Sequence, residues 1–172
     1  VQMGKDKARY IISCEGDKVR QNPYFSSLKF NPAKGDILTV RFHKHLPTQT
    51  YHEKVWLAPA GEENVFFVGS TYDWENLEET PSPAARQEIE ARLSAFMGDG
   101  FEVLDHKAAI RPIIFQSMAR IGSHPDYPRL GFFNGLGSKG SLQAPWYGQA
   151  LSDFLFKGKE IEEEASLNAI WP

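Results

Sequence analysis

The stretch 129–141, Arg-Leu-Gly-Phe-Phe-Asn-Gly-Leu-Gly-Ser-Lys-Gly-Ser, constrains this chain more than any other. A short apolar run of strand-forming residues enters a glycine-rich turn, and the turn opens into an apolar-periodic run from Leu142 to Phe156. A strand, turn and helix in that order aim several backbone N–H groups at one point, because the first N–H groups of a helix have no partner within it. Glycines at 135, 137 and 140 admit φ > 0 and let a bulky ligand approach without meeting a Cβ. The expectation is an anion or carbonyl site formed by Gly135, Leu136, Gly137, Ser138, Lys139, Gly140 and Ser141.

The glycines also spell G-x-G-x-x-G, the spacing of a dinucleotide-binding turn. That motif needs a second strand after its helix, ending in an acidic residue about 20 positions on. Here the helical run is followed by Lys157-Gly158-Lys159-Glu160-Ile161-Glu162-Glu163-Glu164 and a short remainder, which lack the composition of a buried strand. Either the turn serves a site built mostly by residues elsewhere, or it is a connection without a ligand.

Of the 172 residues, 41% are hydrophobic and 24% charged, the balance of a globular chain large enough for one core or slightly more. A net charge of −3 gives no electrostatic reason to expect nucleic acid or an anionic membrane surface. No apolar run approaches the roughly 18 residues needed to span a bilayer, and the first residues lack a signal-peptide core. The single cysteine, Cys14, forbids an internal disulfide and fits a reducing, cytoplasmic setting. The chain does not begin with Met, which suggests that upstream sequence is missing.

Along the chain, Ala8 to Cys14 reads as a short buried strand with Cys14 as a small core residue. Residues 17–35 are turn-rich, and Asp36 to Phe42 resumes strand-like alternation. The runs Tyr51 to Leu57 and Asn64 to Ser70 predict a hairpin with a long loop. Ser82 as cap, Pro83 at the first helical position and Ile89, Leu93, Phe96 and Met97 on one face predict a helix ending at Gly98. Phe101 to Ile110 returns to strand, and residues 116–129 read as a loop punctuated by Gly122, Pro125 and Pro128. The final helix is expected to bury Tyr147, Leu151, Phe154 and Leu155 and to stop at Lys157-Gly158, before a solvated acidic run at Glu160 to Glu164. The fold class is α+β: a mostly antiparallel sheet with a covering helix, its first and last pieces belonging to one interrupted layer.

Few side chains suggest chemistry. His43-x-His45 places two rings on one strand face, but no third ligand of suitable spacing accompanies them, so no metal site is expected. Ser117, Ser123 and Ser141 lack a nucleophile-elbow pattern. Arg111 ends an apolar strand just before Pro112, whose missing N–H marks a strand exit. An arginine there offers a bidentate fork to a ligand carboxylate, or a structural ion pair with Asp105 or Glu102.

Arg111-Pro112, Ile121-Gly122, Pro125 and the run Gly135 to Pro145 stand together in a pattern that resembles the C-terminal half of the D-amino-acid-oxidase-like FAD-dependent oxidoreductases. That group includes glycine and sarcosine oxidases and the oxidase domain of a tRNA wobble-uridine-modifying enzyme. Ala8-x-x-Ile11-Ile12-x-Cys14-x-Gly16 resembles the strand by which such proteins return to the FAD domain, and Pro32-x-x-Gly35-Asp36 the way into the substrate domain. The resemblance implies FAD as cofactor and a small amine or amino acid as substrate, oxidised to an imine by hydride transfer to the flavin. It implies that Arg111 grips the substrate carboxylate and that Gly135 to Ser141 lie against the flavin pyrimidine edge. It divides the chain into a returning part of the FAD domain (1–30), a substrate-type antiparallel domain (31–115), the last part of the FAD domain (116–158) and an acidic tail (159–172). The unit that holds the ADP part of FAD, in an N-terminal half, has no counterpart here, so this chain alone is expected to be inactive. Arg120 stands where the family often has aspartate or proline. The rival reading is a free-standing α+β binding module without redox activity.

Overall fold

The structure is a computed structural model and describes residues 2–3, 6–114 and 118–171. The expected boundary at 115/116, and Ser117, lie outside the described residues. In chain order the strands are β1 (Gln2–Met3), β2 (Asp6–Lys7), β3 (Ile11–Ser13), β4 (Ala33–Phe42), β5 (Tyr51–His52), β6 (Trp56–Pro59), β7 (Val65–Gly69), β8 (Phe101–Arg111), β9 (Arg120–Ser123) and β10 (Leu130–Asn134). The helices are α1 (Pro83–Met97) and α2 (Gly140–Lys157), accompanied by short 3₁₀ turns. The result is an α+β fold with mostly antiparallel pairing, in two compact units: 33–110, and 1–32 together with 111–172. Among the described residues no helix is long and apolar enough to cross a membrane.

The unit 33–110 is a five-stranded sheet in the order β5-β6-β7-β4-β8. Strand alternation puts Leu38, Val40 and Phe42 of β4 on one face, and the register sets Leu38 opposite Val68 and Val40 opposite Phe66. Helix α1 lays Ile89 and Leu93 on that face, and the cluster is buried. Each such side chain contributes roughly 1.5–3 kcal/mol of hydrophobic stabilisation. Ser82 caps α1 by accepting from the Ala85 N–H, Pro83 occupies the first turn, and the Gly98 N–H closes the helix on Ser94 O. Asp36, buried at the start of β4, accepts from Ser82 N at 3.0 Å and meets His106 Nε2 at 2.8 Å, which fixes where the helix begins.

One expectation for this unit needs correction. Tyr51 to Leu57 is not one strand: it folds at Glu53–Val55 into β5 and β6, and the hairpin to β7 runs from Trp56–Pro59 through residues 60–64. Strand β8 forms where the sequence places a strand, and its inward face slips by one residue along the way. Phe101 and Val103 pack on the core, Leu104 and Asp105 are both exposed, and the inward face resumes at His106.

In the other unit β10 pairs in parallel with β3 and antiparallel with β9, in the order β3-β10-β9. Phe132 faces Val19, Phe25, Leu28, Ile114 and Leu167. On the opposite side Ile12 and Phe133 pack with Ile121, Leu151 and Phe154, burying one stripe of α2. That helix ends at Gly158 in the left-handed conformation, φ 67°, whose N–H bonds to Phe154 O. Lys157 and Lys159 both reach Asp153 and hold its carboxyl well below the usual carboxylate range.

Three sequence expectations fail in this unit. Cys14 is exposed just past the end of β3; desolvation of its thiol and the Glu15 charge push its pKa up. Residues 120–123 form β9 rather than loop, because Ile121 and Gly122 pair with Phe133 and Phe132 despite the neighbouring glycine and prolines. Past the exposed acidic residues 162–164, the chain returns to the core. Ala165 and Leu167 are buried, Ser166 bridges Ile121 along the open edge of β9, and Trp171 packs on His124 with centroids 4.5 Å apart. Arg120, itself buried, donates to Glu164 O, and burial pulls its guanidinium below its ordinary pKa.

The tail is therefore part of the fold. Leu167→Ala should lower the unfolding free energy by about 3 kcal/mol, as large-to-small core changes do, seen as a lower urea midpoint at unchanged m-value. Glu163→Gln, at an exposed position, should move it by no more than about 0.5 kcal/mol. Equally small effects would contradict the buried placement of Leu167.

Candidate functional site

The site is built where β10 ends. Asn134 is buried and uses both ends of its amide: Nδ2 donates to Gly16 O, and Oδ1 accepts from Gly135 N, each at 2.8 Å. The side chain thereby ties the end of β10 to the loop after β3, so the turn leaves a fixed point. Sequence reasoning misses Asn134. The signal that could have found it is the Asn-Gly pair, since a short amide at a turn bonds nearby backbone.

Gly135 follows at φ 80°, and a Cβ there would lie 2.6 Å from Ile114 Cδ1 and 3.0 Å from Met118 O. Only glycine fits that close approach. Gly137, at φ 56°, has nothing within 4 Å of a hypothetical Cβ, so its requirement is conformational alone. A 3₁₀ turn, Gly137–Lys139, precedes the helix. Gly140 is not at positive φ: it has φ −56° and ψ −45°, the first residue of α2. A Cβ there would lie 3.4 Å from Leu136 Cβ and 3.9 Å from Leu136 Cδ1.

The start of α2 carries no side-chain cap and no acidic residue in its first turn. Ser138, Lys139 and Ser141 lie at the surface to differing degrees, and Leu142 and Trp146 are 78% and 70% exposed on the same end of the helix. A helix of this length left uncapped forgoes about 1 kcal/mol of stabilisation. Its N–H groups, the positive end of its dipole and the Lys139 ammonium suit an electron-rich carbonyl or an anion.

Arg111 lies at the last residue of β8, half-buried, and Glu102 and Asp105 are taken by Arg41 and Lys107. The segment beyond it is held on both sides. Ile113 N bonds Arg111 O, Asn31 N bonds Ile113 O, and Phe30 bridges Ile114. Ile114 is the side chain that packs on Gly135. Three residues therefore separate Arg111 from the turn, a backbone span of at most roughly 10 Å. The arginine and the glycine turn, distant in sequence, belong to one neighbourhood. His43 and His45 are exposed, and His45 pairs with Glu63. Among the described residues no three His, Cys, Asp or Glu side chains come together as a metal site.

The two turn glycines should respond differently to a methyl group. Gly135→Ala combines positive φ with overlap on Ile114 and should cost about 3 kcal/mol or more, whereas Gly137→Ala should cost about 1 kcal/mol from φ alone. Thermal unfolding of the two variants checks the order, and equal losses would contradict the packing of Ile114 on Gly135.

The helix start is uncapped, and nothing lies within 4 Å of a Cβ placed on Gly137. The structure is similar to a glycine oxidase from Geobacillus kaustophilus, with a TM-score of 0.76 at 21% identity over 90% of this chain and 43% of that one. It is also similar to an iminodiacetate oxidase from Chelativorans sp. BNC1, with a TM-score of 0.70 at 21% identity over 97% and 47%. A fructosamine oxidase from Aspergillus fumigatus matches with a TM-score of 0.73 at 16% identity over 94% and 45%. At these identities the likeness is one of fold, and the chain spans less than half the length of each of these proteins. A family described as FAD dependent oxidoreductase matches residues 1–154. The chain belongs to this DAO family of FAD-dependent oxidoreductases.

Proposed function

We propose that this chain is the carboxyl-terminal half of an enzyme that oxidises a carboxylate-bearing amine or amino acid to an imine. In this reading the unit of 1–32 and 111–172 belongs to the flavin-binding domain and the unit 33–110 to the substrate domain. The observation that carries the proposal is the packing of Ile114 on Gly135, which brings the Arg111 segment to the glycine turn. Bound FAD would supply the two-electron acceptor. Gly135 to Ser141 would hold its pyrimidine edge, the open space at Gly137 admitting the ring system. The helix start and Lys139 would stabilise negative charge on the carbonyl end of that ring. Arg111 would grip the substrate carboxylate with its fork and so orient the amine. Glycine oxidase and iminodiacetate oxidase, two of the structural matches, are named for amines that bear carboxylates, which supports that assignment.

FAD affinity in this reading resides mainly in a phosphate cradle outside these residues, where helix-terminal N–H groups meet the pyrophosphate. Titrating FAD into the purified chain and following flavin fluorescence should show only weak binding, and sub-micromolar affinity would contradict this division of labour. In a full-length protein containing the chain, Arg111→Met should cost about 3 kcal/mol in kcat/KM for carboxylate-bearing amines, mostly through KM. Amines without a carboxylate should lose much less. Equal losses for both would make Arg111 a structural residue and overturn its role as a clamp.

A further inference from the structure

His124, the only histidine outside residues 33–110, is buried where three segments of its unit meet. Its Nε2 lies 3.1 Å from Tyr24 O, in the loop after the 3₁₀ turn Gly16–Gln21, and its Nδ1 lies 3.1 Å from the backbone N of Asp126. Its ring packs edge-on against Trp171 of the tail, centroids 4.5 Å apart. Tyr127 lies at 4.9 Å and Phe25 at 5.7 Å, and Phe25 rests in turn on Phe132.

The two bonds fix the chemistry of the ring. A backbone N–H can only donate, so Nδ1 accepts from Asp126 and carries no proton. Nε2 then carries the proton and donates it to Tyr24 O. Only the neutral imidazole satisfies both partners. A proton added at Nδ1 would set one N–H against another, at a ring that burial keeps from water.

The surroundings decide how that conflict resolves. Aromatic faces attract a cation, but both ring nitrogens already point at Tyr24 O and Asp126 N, so no ring face can accept the new N–H. The charged and titratable groups nearby are Asp126, Tyr127 and Arg129 of the same turn and the Tyr24 phenol opposite, with Glu15 and Lys18 lining the hollow they share. From the tail the ring meets Trp171, which carries no charge. Of these groups the Asp126 carboxylate is the acceptor nearest in the chain, and it can reach Nδ1 only if its own backbone N–H withdraws. A protonated ring therefore selects a different turn. That turn is closed at its base, since His124 N bonds Leu130 O and Leu130 N bonds Tyr127 O at the start of β10. Reorganising it draws the ring away from Trp171.

We propose that His124 is a proton-sensitive clasp: neutral, it holds the 124–130 turn, the Tyr24 loop and the tail together, and protonated at Nδ1 it releases the turn and loosens the tail. The clasp contributes stability while the ring is neutral, and that contribution is lost as the pH falls through the range in which an imidazole gains a proton. The inference does not rest on the redox reading, and failure of either leaves the other standing.

Two measurements on the purified chain test it. Ring ¹⁵N NMR at about pH 8 should show His124 as the Nε2–H tautomer, and on acidification to about pH 5 the Trp171 indole resonance should move with the same midpoint as the His124 ring. Hydrogen exchange, corrected for its intrinsic pH dependence, should show the protection of the Asp126 and Leu130 amides falling by about tenfold or more over that range. In His124→Asn the side-chain oxygen still accepts from the Asp126 N–H but takes up no proton, so protection should change by less than about twofold. An Nδ1–H tautomer at the alkaline end, or a Trp171 resonance that moves independently of the His124 ring, would overturn the proposal without any variant. So would protection that survives acidification in the parent, or that falls equally in His124→Asn.

Discussion

The packing of Ile114 on Gly135 is the interaction on which the rest of the site depends. Without a Cβ at 135, the strand exit that follows Arg111 comes up against the end of β10. With one, Ile114 or the turn must move, and the uncapped start of α2 moves with it. Asn134 fixes the other side of this joint by bonding Gly16 O and Gly135 N at once. Two segments far apart in the chain thus meet through one missing methyl group and one amide. Close packing makes such a joint specific, because interiors yield little to an added atom.

The same unit leaves other features open in a way that stability alone does not explain. Helix α2 has a hydrophobic stripe against β3 and β10, yet its first turn lacks a cap and exposes Leu142 and Trp146. In the proposed reading a flavin carbonyl would take the place of the absent cap. The other helix shows the contrast: α1 has its Ser82 cap, its Pro83 and a further anchor from Asp36. The helix that covers the sheet is finished at its start, and the one left unfinished is, in the proposed reading, the one that would meet a ligand.

Much of this is legible in the residues. Helix α1 follows from Ser82, Pro83, Gly98 and the stripe of Ile89 and Leu93, because local signals and burial agree there. The strand, glycine turn and helix at 130–157 are legible for the same reason. Strand β9 is not, since Arg120 and Gly122 carry no strand propensity and their pairing with β10 is settled by tertiary packing. Nor is the return of the tail to the core, because Ala165, Leu167 and Trp171 are too few and too irregularly spaced for a periodic pattern. The motif alone suggests that Gly140 needs positive φ. The structure puts it in helical geometry, so any requirement for glycine there comes from outside this chain's own packing.

That last point permits the most direct measurement. In a full-length protein containing this chain, Gly140→Val should leave thermal stability without FAD within about 1 kcal/mol of the parent, because its φ is helical and valine is no worse a helix former than glycine. Flavin binding and reduction should be abolished, because the valine would occupy the space between the helix start and the ring. If the variant binds FAD and is reduced at the parent rate, the glycine turn is only a connection between β10 and α2, and the flavin-facing account of this site is wrong.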